Sequence, residues 1–328
     1  MLIKAIKIIM NVDNKAMLTM NTDKKMELID LHLHAGWTDF DHADQEKRSK
    51  DEISALINGF LIRYKAEGII TARDAGGFDG SDSALNMTIP GVTASDYTNV
   101  IPSCEMLDGD ILENAYDHNY VINHNSAGEK QPHSLEAQSI LNKIRHSTNK
   151  WTKIFITGGV GESPQDVVIP KANEKHFKAM VKWLHDCGKK VMVHCYGGDS
   201  LDWCIESEVD TVEHAVYMTK EQAGLMAEKG IAVVPTTSIY RLLSEKPELF
   251  GIPQFIQENA KYACEAQLKS VKYALDAGVL IGYGTDLYAD MKLAEYARYE
   301  LETLRDCGLN TKETLATGTA NAKRILEI

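Results

Sequence analysis

The stretch ELIDLHLHAG, from Glu27 to Gly36, alternates like a β-strand but carries polar side chains that are costly to bury. Strand side chains point alternately to two faces, so Ile29, Leu31 and Leu33 are expected on one side and Asp30, His32 and His34 on the other. Two histidines on one face of a buried strand have two explanations. Either both imidazoles are hydrogen-bonded near a strand end, or the His-x-His spacing aims both at one metal, held at about 2.0–2.1 Å. The residues that the rest of the chain brings to the same place decide between them.

From residue 27 onward, short apolar runs alternate with longer segments of helical spacing. Strands are expected at 27–34, 68–75, 98–106, 151–158, 190–197, 210–216, 231–238 and 279–286. Segments such as DEISALINGFLIRYKAEG and KYACEAQLKSVKYALDAG lie between them and end at or near glycine, as helices often do. About eight strand–helix units in roughly 300 residues predict an α/β fold of the (β/α)8 TIM-barrel type, with an open doubly wound sheet as the alternative. Residues 1–25, rich in Lys, Asn and Met, fall outside this rhythm and read as an N-terminal extension, an added strand or arm. Residues 26–328 are assigned to the barrel, with a long polar loop at 107–133.

The chain has 328 residues, 44% of them hydrophobic, enough for an ample core without a disulfide or metal staple. Its formal net charge of -12 and the lack of a long basic stretch argue against a nucleic-acid partner. The apolar opening MLIKAIKIIM is interrupted by Lys4 and Lys7 and lacks a small-residue cleavage site, so it does not read as a signal peptide. No apolar run is long enough to span a bilayer. Six cysteines scattered without C-x-x-C spacing fit reduced thiols, and a cytoplasmic location is expected.

In a βα barrel the C-terminal strand ends form the active-site face. His32 and His34 would lie there from the first strand, Lys153 from the fourth, His194 from the fifth, His214 from the sixth and Asp286 from the eighth. This convergence favours the metal explanation of His-x-His. An ammonium beside metal ions would be repelled, but a lysine made neutral by a cationic, partly buried site can react with carbon dioxide to give a carbamate, an anionic oxygen ligand. The alternative is a lysine paired with a barrel carboxylate. Two metals roughly 3.5–4 Å apart would polarise a carbonyl and activate a bridging water. Asp286 would serve as ligand and proton shuttle, or else merely cap a helix.

The motifs DLHLHAG, TKIFITGG, VMVHCYGG, TVEHAV and GYGTD together resemble the metal-dependent amidohydrolase superfamily. Within it, the pattern is most similar to the imidazolonepropionase-like group, which includes prolidase-like dipeptidases. The resemblance runs from about Met26 to the end and takes in GIITARDAGG, EKGIAVVPT and ATGTANAKRIL. It implies that His32 and His34 hold the more buried of two zinc ions, carboxylated Lys153 bridges them, His194 and His214 hold the second, and Asp286 completes the first. It also implies hydrolysis of an amide bond in a small molecule of the dipeptide or N-acyl amino acid type. A lactonase or esterase at the same site, or a barrel that binds metal or metabolite without turnover, remain the alternatives. Deaminases of the superfamily carry a glutamate three residues after the fifth-strand histidine, where this chain has Gly197, so ring deamination is disfavoured. The family's accessory β-sandwich is expected to be reduced or missing, and a homo-oligomer through helical faces is consistent with the resemblance.

Other residues have competing readings. Asp39, Asp41 and His42 follow the first strand and would either touch substrate or cap a helix. His118 and His124 in the polar loop are candidate substrate contacts. Tyr240 and Arg241 follow the seventh strand, where the arginine would hold a substrate carboxylate or form a surface ion pair. Arg73 and Asp74 are expected to pair inside the barrel, and Glu213 to point away from the ligand face if its strand is regular.

Overall fold

A computed structural model describes residues 25–40, 42–76, 96–104, 106–115 and 135–328. In chain order the first half contains β1 (Leu28–His34), α1 (His42–Gln45), α2 (Lys50–Ala66), β2 (Ile69–Asp74), β3 (Asn99–Ile101), α3 (Gly109–Ala115) and α4 (Leu135–His146). β4 (Trp151–Phe155), α5 (Glu174–Asp186), β5 (Lys190–Cys195), α6 (Asp199–Glu206), β6 (Thr211–His214) and α7 (Lys220–Lys229) follow. The chain continues with β7 (Ala232–Val234), α8 (Thr237–Glu245), α9 (Gln254–Ala277), β8 (Leu287–Tyr288), α10 (Tyr299–Asp306), α11 (Thr311–Thr317) and α12 (Ala320–Leu326). Several helix ends follow from local chemistry. Ser49 with Glu52 and Thr219 with Gln222 form capping boxes, and α7 and α9 stop at left-handed Gly230 and Gly278.

The strands form two four-stranded parallel sheets, in the orders β3-β2-β1-β8 and β4-β5-β6-β7. Both pairs of edges are hydrogen-bonded to each other. On one side Leu107 donates to the carbonyl of Lys153 at 2.9 Å and Phe155 donates to that of Leu107 at 2.8 Å. On the other, Gly282 donates to the Val233 carbonyl at 2.8 Å, while Leu31 donates to Tyr283 at 2.8 Å and Asp286 to His32 at 2.7 Å. These seams close the ring expected from the eight units.

The expected eighth strand, 279–286, differs from the observed one. Its residues hydrogen-bond to both neighbours, but the regular ladder with β1 starts only at Leu287. Glycine is required here by close approach: a Cβ on Gly284 would stand 2.3 Å from Val234 Cγ1 and 2.9 Å from His32 Cβ. The third and seventh strands are also shorter than expected, because Pro102 and Pro235 lack the N–H a ladder needs.

Three apolar clusters explain where the site sits. One packs α4 to α7 against β4 to β6, and a second packs α2, α8 and α9 around Leu28, Leu33 and Tyr283. The third fills the barrel with Ile29, Leu31, Trp151, Met192 and Val234, floored by Ile325 and Leu326 of α12. The polar mouth lies at the opposite end. β1 does not keep one face throughout, contrary to simple alternation. Ile29 and Leu31 lie in the barrel cluster, whereas Leu33 packs with the helices and Asp30 accepts a 2.6 Å bond from Tyr64 of α2. The pairing with β2 shifts register between Asp30 and Leu33, and such a bulge exchanges the two faces. No described helix is long and apolar enough to cross a membrane.

Candidate metal centre

The bulge in β1 leaves His32 and His34 side by side, with ring centroids 5.4 Å apart. Both aim their Nε2 atoms at Asp286, whose Oδ1 lies 3.3 Å from His32 and 3.2 Å from His34. His214 at the end of β6 brings its Nδ1 within 4.0 Å of Asp286 Oδ2, and its ring stands 5.0 Å from that of His32 and 4.5 Å from that of His194. Ligand atoms of His32, His214 and Asp286 all fall within 4.8 Å of one another. Lys153 is wholly buried with Nζ 3.3 Å from His32 Nε2. All six residues expected at the mouth from sequence are therefore gathered there.

The donor chemistry fits a cation. Each histidine has one nitrogen engaged by a protein group: His32 Nδ1 by Glu213 at 2.6 Å, His34 Nδ1 by the Gly76 carbonyl at 3.1 Å, His194 Nε2 by the Gly158 carbonyl at 2.8 Å, and His214 Nδ1 by Thr236 Oγ1 at 2.8 Å. An outer contact of this kind leaves a histidine's second nitrogen available to a cation. Burial holds His34 and His214 below the usual histidine range and pushes His194 down to about 3, which favours the uncharged imidazole. Burial opposes charge on Asp286, but His32 above all, helped by His34 and His214, keeps its carboxyl well below the usual range. Burial also opposes charge on His32, yet Asp286 and Glu213 raise it above the usual histidine range. Lys153 is lowered to about 8, chiefly by burial, against the pull of Glu213 and Asp286.

Three strand exits shape this cluster through left-handed backbone: His214 at φ 75°, Thr236 at 53° and Asp286 at 55°. Non-glycine residues in this region carry strain, which concentrates at functional sites. At β6 it corrects the sequence reading. Glu213 takes the regular inward position, and His214 also reaches the mouth because its backbone turns out of the strand conformation. Glu213 thus meets His32 directly instead of pointing away. Its other oxygen pairs with Arg73 at 2.9 Å, and Arg73 further donates to the Leu31 carbonyl at 2.7 Å and covers the Trp151 ring at 4.3 Å. The expected Arg73–Asp74 pair is replaced by this Arg73–Glu213 pair, while Asp74 accepts the backbone N–H groups of Ala35 and Gly76 and the Ser103 hydroxyl. Burial alone would raise Glu213, but Arg73 and His32 hold it at about 2.

Among the expected substrate contacts, Tyr240 is buried beside the centre, its ring 6.1 Å from His214 and 5.9 Å from Tyr196. Its hydroxyl lies close to the side chains of Tyr196 and Thr236 without a hydrogen bond of normal geometry. Arg241 instead binds Asp306 at 2.6 Å on the outside, the surface-pair alternative of the sequence reading. Asp39 pairs with Arg48. The side chain of His42, in α1, and the whole of Asp41, His118 and His124 lie outside the described residues. Sequence reasoning missed Trp37, stacked on His34 at 3.8 Å, and Thr236, which sits in the visible string VVPTTS but has no marker for its contact with His214. Cys195 packs in the helix-side cluster, away from the mouth.

Comparison with known proteins agrees with this geometry. A model of the amidohydrolase family matches residues 27–328. The ochratoxinase of Aspergillus niger is 26% identical over 174 residues, covering 53% of this chain and 35% of that protein, so the match spans about a third of the relative's length. In fold, the chain is similar to a prolidase solved with N-methylphosphonate-L-proline, at a TM-score of 0.71, 22% identity and coverage of 92% of this chain and 74% of that one. It is also similar to a Xaa-Pro dipeptidase with bound methionine, at a TM-score of 0.69, 20% identity and coverage of 92% and 75%. The family match extends across every described strand of the barrel and all six mouth residues, and the chain belongs to the amidohydrolase family.

Proposed function

We propose that this chain hydrolyses a C–N amide bond of a small molecule, of the dipeptide or N-acyl amino acid type, with zinc held at the barrel mouth. The observation that carries the reading is the convergence of His32, His34, His194 and His214 on an ionised Asp286 beside a buried Lys153. His32, His34 and Asp286 would hold one ion and His194 and His214 a second, with Lys153 between them. Lys153 would react as a free amine with carbon dioxide, forming an N–C bond and releasing a proton, to give an anionic carbamate. When bound, zinc supplies Lewis acidity that polarises the substrate carbonyl and eases loss of a proton from water.

The remaining steps belong to this chain's own side chains. Asp286 accepts the proton from the attacking water as the C–O bond forms, and delivers it to the amide nitrogen as the C–N bond breaks. Its left-handed backbone and the bond from its N–H to the His32 carbonyl fix the carboxylate for both transfers. The Tyr240 hydroxyl, which Tyr196 and Thr236 also approach, donates to a substrate oxygen beside His214. Amide compounds ranging from N-acetyl amino acids to Xaa-Pro dipeptides test the reading, with matched esters and lactones alongside. Turnover of amides that disappears on chelation and returns with zinc is expected. Faster turnover of the esters or lactones would move the reading to an esterase, and retained zinc without any turnover would leave a binding protein.

A further inference from the structure

Helix α8 starts without a cap of its own. Its N-cap residue is Thr236, a type that ordinarily accepts the first free N–H groups of a helix. Here it is left-handed at φ 53° and makes no such bond. Its hydroxyl is turned to His214 Nδ1 instead, at 2.8 Å. The orphaned first turn is served from another helix. Glu300, in the first turn of α10 and wholly buried, accepts the N–H of Thr237 at 3.0 Å and of Ser238 at 2.6 Å, the Thr237 hydroxyl at 3.1 Å and the Thr303 hydroxyl at 3.3 Å. Among the described residues no Lys, Arg or His side chain stands within ion-pair range of it.

We propose that Glu300 is a positioning residue for the metal centre: by capping α8 from α10 it frees the Thr236 hydroxyl to hold His214. The exchange explains two features that capping alone does not. A threonine at an N-cap position takes up a strained backbone and forgoes its usual bond, and a carboxylate is buried where no cation neutralises it. Burial pushes the Glu300 carboxyl up to about 7 against its hydrogen bonds from Ser238 and Thr237, a cost that a plain helix cap on the surface would not carry. The same anchor fixes the start of the helix that places Tyr240.

This inference rests on the reading of His214 as a metal ligand. The test uses the full chain reconstituted with Zn2+ and bicarbonate, and follows zinc release to an excess of a coloured chelator. Thr236→Val removes the hydroxyl contact to His214 and is expected to release zinc about tenfold faster, the scale typical of outer contacts to ligating histidines. Glu300→Gln, with the same shape but a mismatched amide against two N–H donors, is expected to accelerate release by a similar factor. Because both act through one contact, the double variant should release zinc no faster than Thr236→Val alone. Where Glu300→Gln does not fold, Thr237→Val loosens the same carboxylate by one donor and should give a smaller acceleration. Wild-type release from Glu300→Gln would overturn the inference. So would a double variant whose effects multiply, since a purely structural Glu300 would act independently of Thr236. A wild-type protein that takes up no zinc would overturn the metal reading itself, and is recognised before any variant is compared.

Discussion

Replacing Asp286 by asparagine is expected to lower kcat for amide hydrolysis by about 10²–10⁴-fold, the range associated with loss of a positioned acid–base group. Asparagine is the most telling substitution because it changes little else. It has nearly the same volume, and it tolerates the left-handed conformation that Asp286 adopts at φ 55°. The backbone bond from residue 286 to the His32 carbonyl needs no side chain and should survive. What disappears is the negative charge among three imidazoles and the oxygen that accepts a proton. Steady-state kinetics with the zinc content of each sample measured in parallel separates loss of proton transfer from loss of metal. An unchanged kcat in the zinc-loaded variant would rule out Asp286 as proton carrier.

The second large effect is expected beneath the centre, in the Arg73–Glu213–His32 chain. Both members of the Arg73–Glu213 pair are fully buried, so removing one strands the other's charge. Arg73→Met should destabilise the fold by about 3–5 kcal/mol, and the double variant Arg73→Met/Glu213→Gln should recover much of that loss. Glu213→Gln should also weaken zinc binding by about 10–100-fold, because the carboxylate that fixes the His32 tautomer is gone. The pair has a pH signature. Glu213 is held at about 2, below its ordinary 4.5, so its contribution is complete above pH 4.5 and is lost as the pH falls toward 2. In Arg73→Met that window should shrink. Unfolding in urea across this range checks the sign, and additive single-variant losses in the double variant would show that the two charges do not act as a pair.

Much of the fold and of the centre can be read in the sequence because both depend on regular features. Each βα unit has its own period, and His32, His34, Lys153, His194, His214 and Asp286 stand at or near strand ends in chain order. The irregular features are the ones that sequence periodicity misses. A register shift in β1 moves Asp30 to the helix side while His32 stays inside, and left-handed exits let Glu213 and His214, adjacent in the chain, serve the same centre. The eighth strand is displaced because Gly282 and Gly284 trade ladder geometry for close packing against Leu31, Val234 and His32. Long-range partners are equally hidden. Glu300 lies 62 residues from Ser238 and Arg73 lies 140 from Glu213, and no local pattern marks either contact. Arg241, by contrast, had a surface alternative from the start, and Asp306 across α10 takes its guanidinium.

The account stands most directly on the number of metal ions per chain, measured by elemental mass spectrometry on protein expressed with zinc, purified without chelators and supplied with bicarbonate. Close to two zinc ions in the wild type, falling to one or fewer in Lys153→Ala, is the predicted result. A single ion insensitive to Lys153, or none at all, would contradict it.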